Sequence, residues 1–381
     1  MAKTYLVNGQ VYIGRQFENK TLLMENGKLT VLDAGCATVD GEVFDAQGAK
    51  VVPGFIDVHT HGAVGVDVNG ATAEDLEKIC IFMAGNGTTA WQCSVLTDTQ
   101  EQTEWCIEQV KAHAKLEQKG ADLLGIHLEG PFLSPDYKGA MPEHLLKKND
   151  IDLIRHYQEL AEGKIRYITI SPELDGAVDM IPELRKLGCG VGIGDYGATY
   201  DVAMSAIEKG ATVGTHTGNA MRLFHQHEPA IFGAVMESDV YAETICDGRH
   251  LVPGTVRMYA KCKGLDRIIA ITDSIMAAGL PDGFYHLGVN EVVVEGGDAK
   301  LVSNGTRAGS TLTHNVALKN MLKWLPYTLE EILPTLSENP AKAMGCFDRK
   351  GSIETGKDAD LVLLDEQANV VQVFARGVQV K

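Results

Sequence analysis

Two histidines, His59 and His61, close the apolar run VVPGFIDVHTH. On an extended strand, residues two apart share a face, so both imidazoles can reach one ion. Other apolar runs end in groups of the same kind: His127-Leu128-Glu129, Asp195 in GIGDYGATYD, His216 in THTGNAM, His250 in DGRH and Asp273 in ITDS. A set of imidazoles and carboxylates suits Zn²⁺ or Fe²⁺, with Mn²⁺ or Co²⁺ also accommodated, whereas Mg²⁺ prefers oxygen donors. The chemistry of such a set is hydrolysis. An ion makes water acidic enough to attack, and a carboxylate such as Asp273 takes a proton and later gives it to the leaving group. Plainer roles exist for two of these acids, since Asp273 could cap the segment that follows it and Asp195 could be a turn or cap residue. His127 and Glu129 share a face, and the Glu-Gly-Pro-Phe turn puts Glu129 nearer the rim, leaving His127 to pack.

These residues need elements that bring distant run ends together. The middle of the chain alternates eight apolar runs with amphipathic helical ones: VVPGFIDVHTH, TTAWQCSVLT, ADLLGIHLEGPF, IRYITISPE, GCGVGIGDYG, ATVGTHTGNAM, VYAETICDGRH and DRIIAITDS. That count predicts an α/β fold of the (β/α)₈ TIM-barrel type, whose buried parallel strands read as continuous apolar runs and whose chemistry sits at their C-terminal ends. THNVALKNMLKWL, LEEILPTLS and NPAKAMG are expected to close the barrel as helices. Both chain ends instead show short alternating strands, with Asn8-Gly9 and Asn26-Gly27 as turn dipeptides. Neither end can bury a sheet alone, so residues 1–51 and 348–381 are expected to form one small β-sandwich beside a barrel of residues 52–347.

The chain has 381 residues, with 45% apolar, 22% charged and a formal net charge of −17. That balance argues against a nucleic-acid or anionic-membrane surface. No stretch approaches the roughly 18 apolar residues of a membrane span, and MAKTYLVNGQ lacks the design of a secretory signal, so a soluble, cytoplasmic protein is expected. The eight cysteines are scattered without a CxxC pair and are expected to be reduced and buried. His113, His144, His156, His225, His286 and His314 lie off the strand ends and read as surface or ordinary packing.

With these motifs in place the chain resembles the N-acetylglucosamine-6-phosphate deacetylase family of the amidohydrolase superfamily. The resemblance rests on PGFIDVHTHG, GIHLEGPFLSPDYKGA, GATYD, THTGNAM, DGRH, ITDS, AGSTLT, ENPAKAMG and GSIETGKDADLVLLD, and so spans nearly the whole chain. It implies hydrolysis of an N-acetyl group from an amino-sugar phosphate, with one or two divalent ions per chain and a homodimeric assembly. By resemblance Glu129 and His216 ligate metal, His59 and His61 match second-metal ligands, and Asp273 is the acid/base. His250 then helps stabilise the oxyanion, and Ala140, Asn219, Ala220, His250, Arg307, Ala308 and Gly309 match sugar- and phosphate-contacting positions.

Three positions depart from that family's pattern. Asp195 stands where the family usually has His, His227 where an Arg grips the phosphate, and Met141 where His or Gln follows the KGA loop. Asp195 can still ligate through oxygen, making the site more anionic and favouring harder ions. A neutral His grips phosphate less strongly than Arg, so Arg222, Arg307 or a protonated His227 would have to serve. Two other readings stay open: an amidohydrolase for a different N-acyl or cyclic-amide substrate, and a silent sugar-binding barrel.

Overall fold

The structure is a computed structural model and describes residues 3–36, 38, 40–194 and 197–380. Eight parallel strands form the central sheet: Phe55–Thr60, Thr88–Leu96, Asp122–Glu129, Ile165–Ile170, Gly190–Ile193, Val213–Gly214, Tyr241–Ile245 and Ile268–Ile271. They neighbour one another in chain order, and a parallel bridge from Thr60 to Ser274 links the first to the eighth, closing the barrel. All eight expected runs are barrel strands. The first two are buried along their whole length, which is why they read as unbroken apolar segments.

The closing seam is polar as well as apolar. Asp57, fully buried, accepts from Thr272 Oγ1 at 2.6 Å and from the His59 and Thr272 amides. Thr60 Oγ1 and Ser274 Oγ lie 2.5 Å apart, and backbone bonds run from His61 N to Ser274 O and from Asp273 N to His59 O. The segments that carry His59, His61 and Asp273 are therefore stitched to each other directly.

Four of the helices between the strands, Ala73–Gly85, Gln100–His113, Ile151–Leu160 and Tyr200–Glu208, begin on side-chain caps. Thr72 forms a capping box with Asp75 at the head of Ala73–Gly85, and Thr99 caps Gln100–His113. The three expected closing helices are present, as His314–Trp324, Leu329–Ile332 and Glu338–Ala343, but they do not follow the eighth strand directly. An antiparallel sheet of Gly283–Leu287, Asn290–Glu295 and Asp298–Leu301 intervenes before helix His314–Trp324. Its apolar face (Leu287, Val292, Val294, Leu301) packs on Leu96, Leu133, Met141 and Ile275 over the barrel mouth.

The chain ends meet as expected in a separate sheet. Thr4–Ile13, Gln16–Glu25, Lys28–Asp33, Glu42–Asp45 and Lys50–Pro53 are joined by Leu361–Leu364, Val370–Ala375 and Val378–Gln379. Lys50–Pro53 pairs antiparallel with Leu361–Leu364, running to Pro53 and so past the expected edge at 51. Strand Thr4–Ile13 pairs with Glu42–Asp45 through one half and with Lys50–Pro53 through the other, so the sheet folds over Leu6, Val11, Leu22, Met24 and Leu361.

Lys350 fastens this sheet to the barrel. Its side chain, 1% exposed, reaches Asp360 at 2.6 Å, Asp358 at 2.9 Å and Asp122, the first residue of the third barrel strand, at 3.1 Å. Burial pushes the Asp122 and Asp358 carboxyls up, but the Lys350 ammonium and its arginine neighbours outweigh it and hold both below 3.8. Their contribution is thus present above pH ~4 and is lost as pH falls through the depressed folded values. Lys350→Met takes the buried ammonium from Asp360 and leaves Asp122 and Asp358 only the more exposed Arg349, Arg376 and Lys28. It is expected to destabilise the protein by about 3–5 kcal/mol, read as a lower urea midpoint at neutral pH with the deficit shrinking in acid.

Candidate active site

The side chains from the strand ends converge. Glu129 Oε1 lies 3.3 Å from His59 Nε2 and 3.2 Å from His216 Nε2, while its Oε2 lies 3.2 Å from His61 Nε2. The two strand-one histidines touch through their Nε2 atoms at 3.2 Å, and Asp273 Oδ1 stands 3.3 Å from His61 Nε2. Donor atoms of His59, His61 and Glu129 all fall within 4.8 Å of one another, as a metal ion requires.

The far ring nitrogens are held from outside. His59 Nδ1 bonds Glu243 Oε2 at 3.1 Å and His61 Nδ1 faces the Ser94 carbonyl at 3.0 Å, the arrangement that fixes a ligating imidazole's tautomer and aim. Glu243 also accepts from the His216 amide and from Tyr167 Oη, so one buried carboxylate orients two strand ends. His127 is a packing residue, as expected. Its nitrogens bond Ser94 Oγ and Thr169 Oγ1, its ring stacks on Tyr167, and burial with the adjacent His59 charge holds its pKa well below 6.5.

Electrostatically the cluster is a carboxylate among imidazoles. Burial opposes charge on each member, yet Glu129 and Glu243 lift His59 well above 6.5, and Glu129 and Asp273 lift His61 to about 9. Burial likewise pushes Asp273 up, and its bond to His61 with the charges of His59 and His61 more than reverses that. So much proton affinity at nitrogens facing one point is what a divalent cation would exploit.

His216 and Asp273 both have positive φ, 27° and 50°, in a region non-glycine residues seldom occupy. Such strain costs about 1–3 kcal/mol per residue and aims a side chain where a regular strand end would not. Neighbouring Gly309 (φ 60°) allows it: a Cβ there would lie 2.9 Å from the Asp273 carbonyl and 2.5 Å from Ile275.

The cluster opens into a cavity of about 460 Å³. Its wall includes Ala140, Asn219, Ala220, His250, Arg307, Ala308 and Gly309, the positions expected to meet substrate, and Met141 as an apolar patch. His250 is not a strand end, since the seventh strand stops at Ile245; a turn carries it to the rim, where Asp247 holds its Nδ1 at 2.7 Å and leaves Nε2 for the cavity. His227 does not line this cavity; it stands exposed beside His225. Arg222 does not line it either, and Arg307 is forked onto Asp298 at 2.7 and 3.0 Å, drawing that carboxyl down to about 2. Asp195 lies outside the described residues.

Two residues here were not singled out in the sequence. Glu243 hides in the apolar run VYAETIC, where an acid in mid-strand was the available signal. Lys138 lines the cavity with its Nζ on the Met141 carbonyl at 3.2 Å, in a loop already conspicuous for its motif.

The amidohydrolase family model matches residues 50–380. The chain belongs to the amidohydrolase family. Within that family it is similar to the N-acetylglucosamine-6-phosphate deacetylase of Bacillus subtilis (strain 168), 34% identical over 93% of each chain. It is also similar to the N-acetylgalactosamine-6-phosphate deacetylase of Escherichia coli O157:H7, 30% identical over 94% of this chain and 97% of the relative. Among solved structures, the N-acetyl-D-glucosamine-6-phosphate deacetylase of Mycobacterium smegmatis, as a mutant in complex with N-acetyl-D-glucosamine-6-phosphate, superposes with a TM-score of 0.92 at 31% identity over the full length of both chains. Amidohydrolases are generally dependent on divalent metal, and the donor set assembled around Glu129 fits one.

If Glu243 sets the aim of His59 and His216, Glu243→Gln should weaken divalent-metal affinity by about 10- to 100-fold while the fold persists. Metal titration of the chelator-treated variant, with circular dichroism as the control, checks this; unchanged affinity would leave Glu243 a packing residue.

Proposed function

We propose that this amidohydrolase removes the N-acetyl group of N-acetylglucosamine 6-phosphate or a close amino-sugar phosphate, giving acetate and the free amine. One observation carries the reading: His61, His216, Glu129 and the acid Asp273 line a single cavity whose other wall is the Ala140, Asn219–Ala220 and Arg307–Gly309 segments. The deacetylase names borne by relatives across the whole chain support it.

In this reading His59, His61, Glu129 and His216 hold one divalent ion or two, of Zn, Fe, Mn or Co, and Asp195 adds an oxygen donor. Such an ion, when bound, supplies Lewis acidity, lowering the pKa of a water at the site and polarising the amide carbonyl. Asp273 takes the proton of the attacking water as the new carbon–oxygen bond forms. It returns that proton to the nitrogen as the carbon–nitrogen bond breaks, since an amide nitrogen leaves poorly without one. His250, its Nδ1–H held by Asp247, donates from Nε2 to the carbonyl oxygen as charge gathers there when the ring carries its second proton.

The phosphate is assigned to Lys138. Among the described residues lining the cavity it is a cation with no carboxylate partner, whereas Arg307 is committed to Asp298. His227 would act on the phosphate only from a second copy, and exposed Leu223 and Phe224 on its loop support a homodimer. A phosphorylated substrate also suits a cytoplasmic enzyme, and no described helix is long and apolar enough to cross a membrane.

An acetate-release assay on N-acetylglucosamine, N-acetylgalactosamine and their 6-phosphates tests the reading. We expect kcat/KM to favour a 6-phosphate, and Lys138→Ala to cut that preference by about 10- to 100-fold, as a charge-assisted bond would. Equal use of phosphorylated and plain sugars would overturn the phosphate assignment, and no acetate from any of them would favour another N-acyl or cyclic-amide substrate.

A further inference from the structure

Helix Ala73–Gly85 lies against helix Gln100–His113 on the outside of the barrel. Where they meet, Glu77, Cys80 and His113 bring a carboxylate, a thiol and an imidazole together, and none of the three lines the active-site cavity. Their donor atoms fall within 4.8 Å of one another. His113 Nε2 is 2.8 Å from Glu77 Oε2 and 3.7 Å from Cys80 Sγ.

The shared nitrogen decides between chemistries. A nucleophilic Cys–His–acid relay uses opposite ring nitrogens, one for the thiol and one for the acid. Here both partners face Nε2, so proton relay is excluded and convergence on one point remains. Zinc bonds of about 2.3 Å to sulfur and 2.0–2.1 Å to nitrogen would put those atoms roughly 3.5 Å apart in a tetrahedral site, near the separation observed. Glu77, at 2.8 Å from the same nitrogen, would need to withdraw by about half an ångström.

The surroundings are those of a held ligand set. Glu77 Oε1 is pinned by the Lys119 and Gly120 amides at 2.6 and 3.0 Å, which turns Oε2 toward the imidazole. Trp91 Nε1–H donates to Cys80 Sγ at 3.2 Å, a contact that offsets part of the burial pushing the thiol up, so that a cation is what would draw the proton off. Cys80 and His113 are buried, while the Glu77 side chain is 13% exposed and leaves a way in for an ion and a fourth, water, ligand. A thiolate and a carboxylate around a dication are neutral overall, which suits a buried position.

We propose that Glu77, Cys80 and His113 form a second metal site, separate from the hydrolytic cluster, that takes a thiophilic divalent ion such as Zn²⁺ and staples the two helices. The sulfur, nitrogen and oxygen donors select such an ion over Mg²⁺ or Ca²⁺. On binding, the Cys80 S–H bond is exchanged for a sulfur–metal bond and the proton leaves to solvent. The site does not rest on the deacetylase reading, since it stands whatever the barrel hydrolyses.

The full chain, stripped with a chelator and titrated with Co²⁺, tests it. The hydrolytic cluster has no sulfur among its described residues, so a near-ultraviolet thiolate-to-cobalt band reports a cysteine site. Wild type should show the band, and Cys80→Ser should lose it and bind one ion fewer per chain. Glu77→Gln, which keeps the helix contact, should weaken the Co²⁺ affinity read from the band by at least the ~10-fold that losing an outer-shell partner costs. A wild type without the band, a band that survives Cys80→Ser, or an unchanged affinity in Glu77→Gln would overturn the proposal.

Discussion

A buried carboxylate cannot stay charged without partners, and Glu129 meets that requirement with three imidazoles. The rest of the barrel mouth follows from that one constraint. His59, His61 and His216 come from two strands far apart in sequence, so they can meet Glu129 only if the sheet closes. Glu243 and the Ser94 carbonyl then hold the outer nitrogens, so that the inner ones face one point. Proton affinity is raised on both strand-one histidines by the acids around them, Glu129 with Glu243 at His59 and Glu129 with Asp273 at His61. The cluster is thus self-consistent as a hydrogen-bonded set and competent as a ligand set, the two differing by protons exchanged for a cation.

Closure of the barrel and placement of Asp273 are one event. The Asp57–Thr272 and Thr60–Ser274 contacts seal the first strand to the eighth, and the same seam carries the Asp273 amide onto the His59 carbonyl. A left-handed backbone at Asp273 then turns its carboxylate to His61 and His59, and Gly309 keeps the space behind it clear. The meander at 283–301 adds an apolar roof through Leu287 and Met141, while Lys138 and Arg307 bring positive charge to a wall otherwise rich in acids.

The barrel was legible because buried parallel strands keep unbroken apolar runs, and six of the eight ended in or just before a residue that could do chemistry. The terminal sheet was legible from alternation and Asn-Gly turns. What escaped has physical reasons. Glu243 sits mid-strand among apolar residues, where periodicity records burial and not which buried acid aims a ligand. The distance of His250 beyond its strand depends on a turn held by Asp247, and the isolation of His227 from the cavity depends on a loop path that local sequence does not specify. Arg307 looked free for phosphate until its fork with Asp298 appeared. The cysteines are free as expected, but Cys262 is exposed and Cys36 and Cys346 are only half-buried, since a helix or loop face does not announce its neighbours.

The central claim is that the Glu129 cluster works by holding a divalent ion for amide hydrolysis. The most direct measurement is acetate release from N-acetylglucosamine 6-phosphate by protein stripped of metal and reloaded with one ion at a time. Turnover should fall in proportion to the ion removed and return on adding Zn²⁺, Fe²⁺, Mn²⁺ or Co²⁺, with one free amine formed per acetate. Undiminished turnover by the metal-free protein would contradict the account.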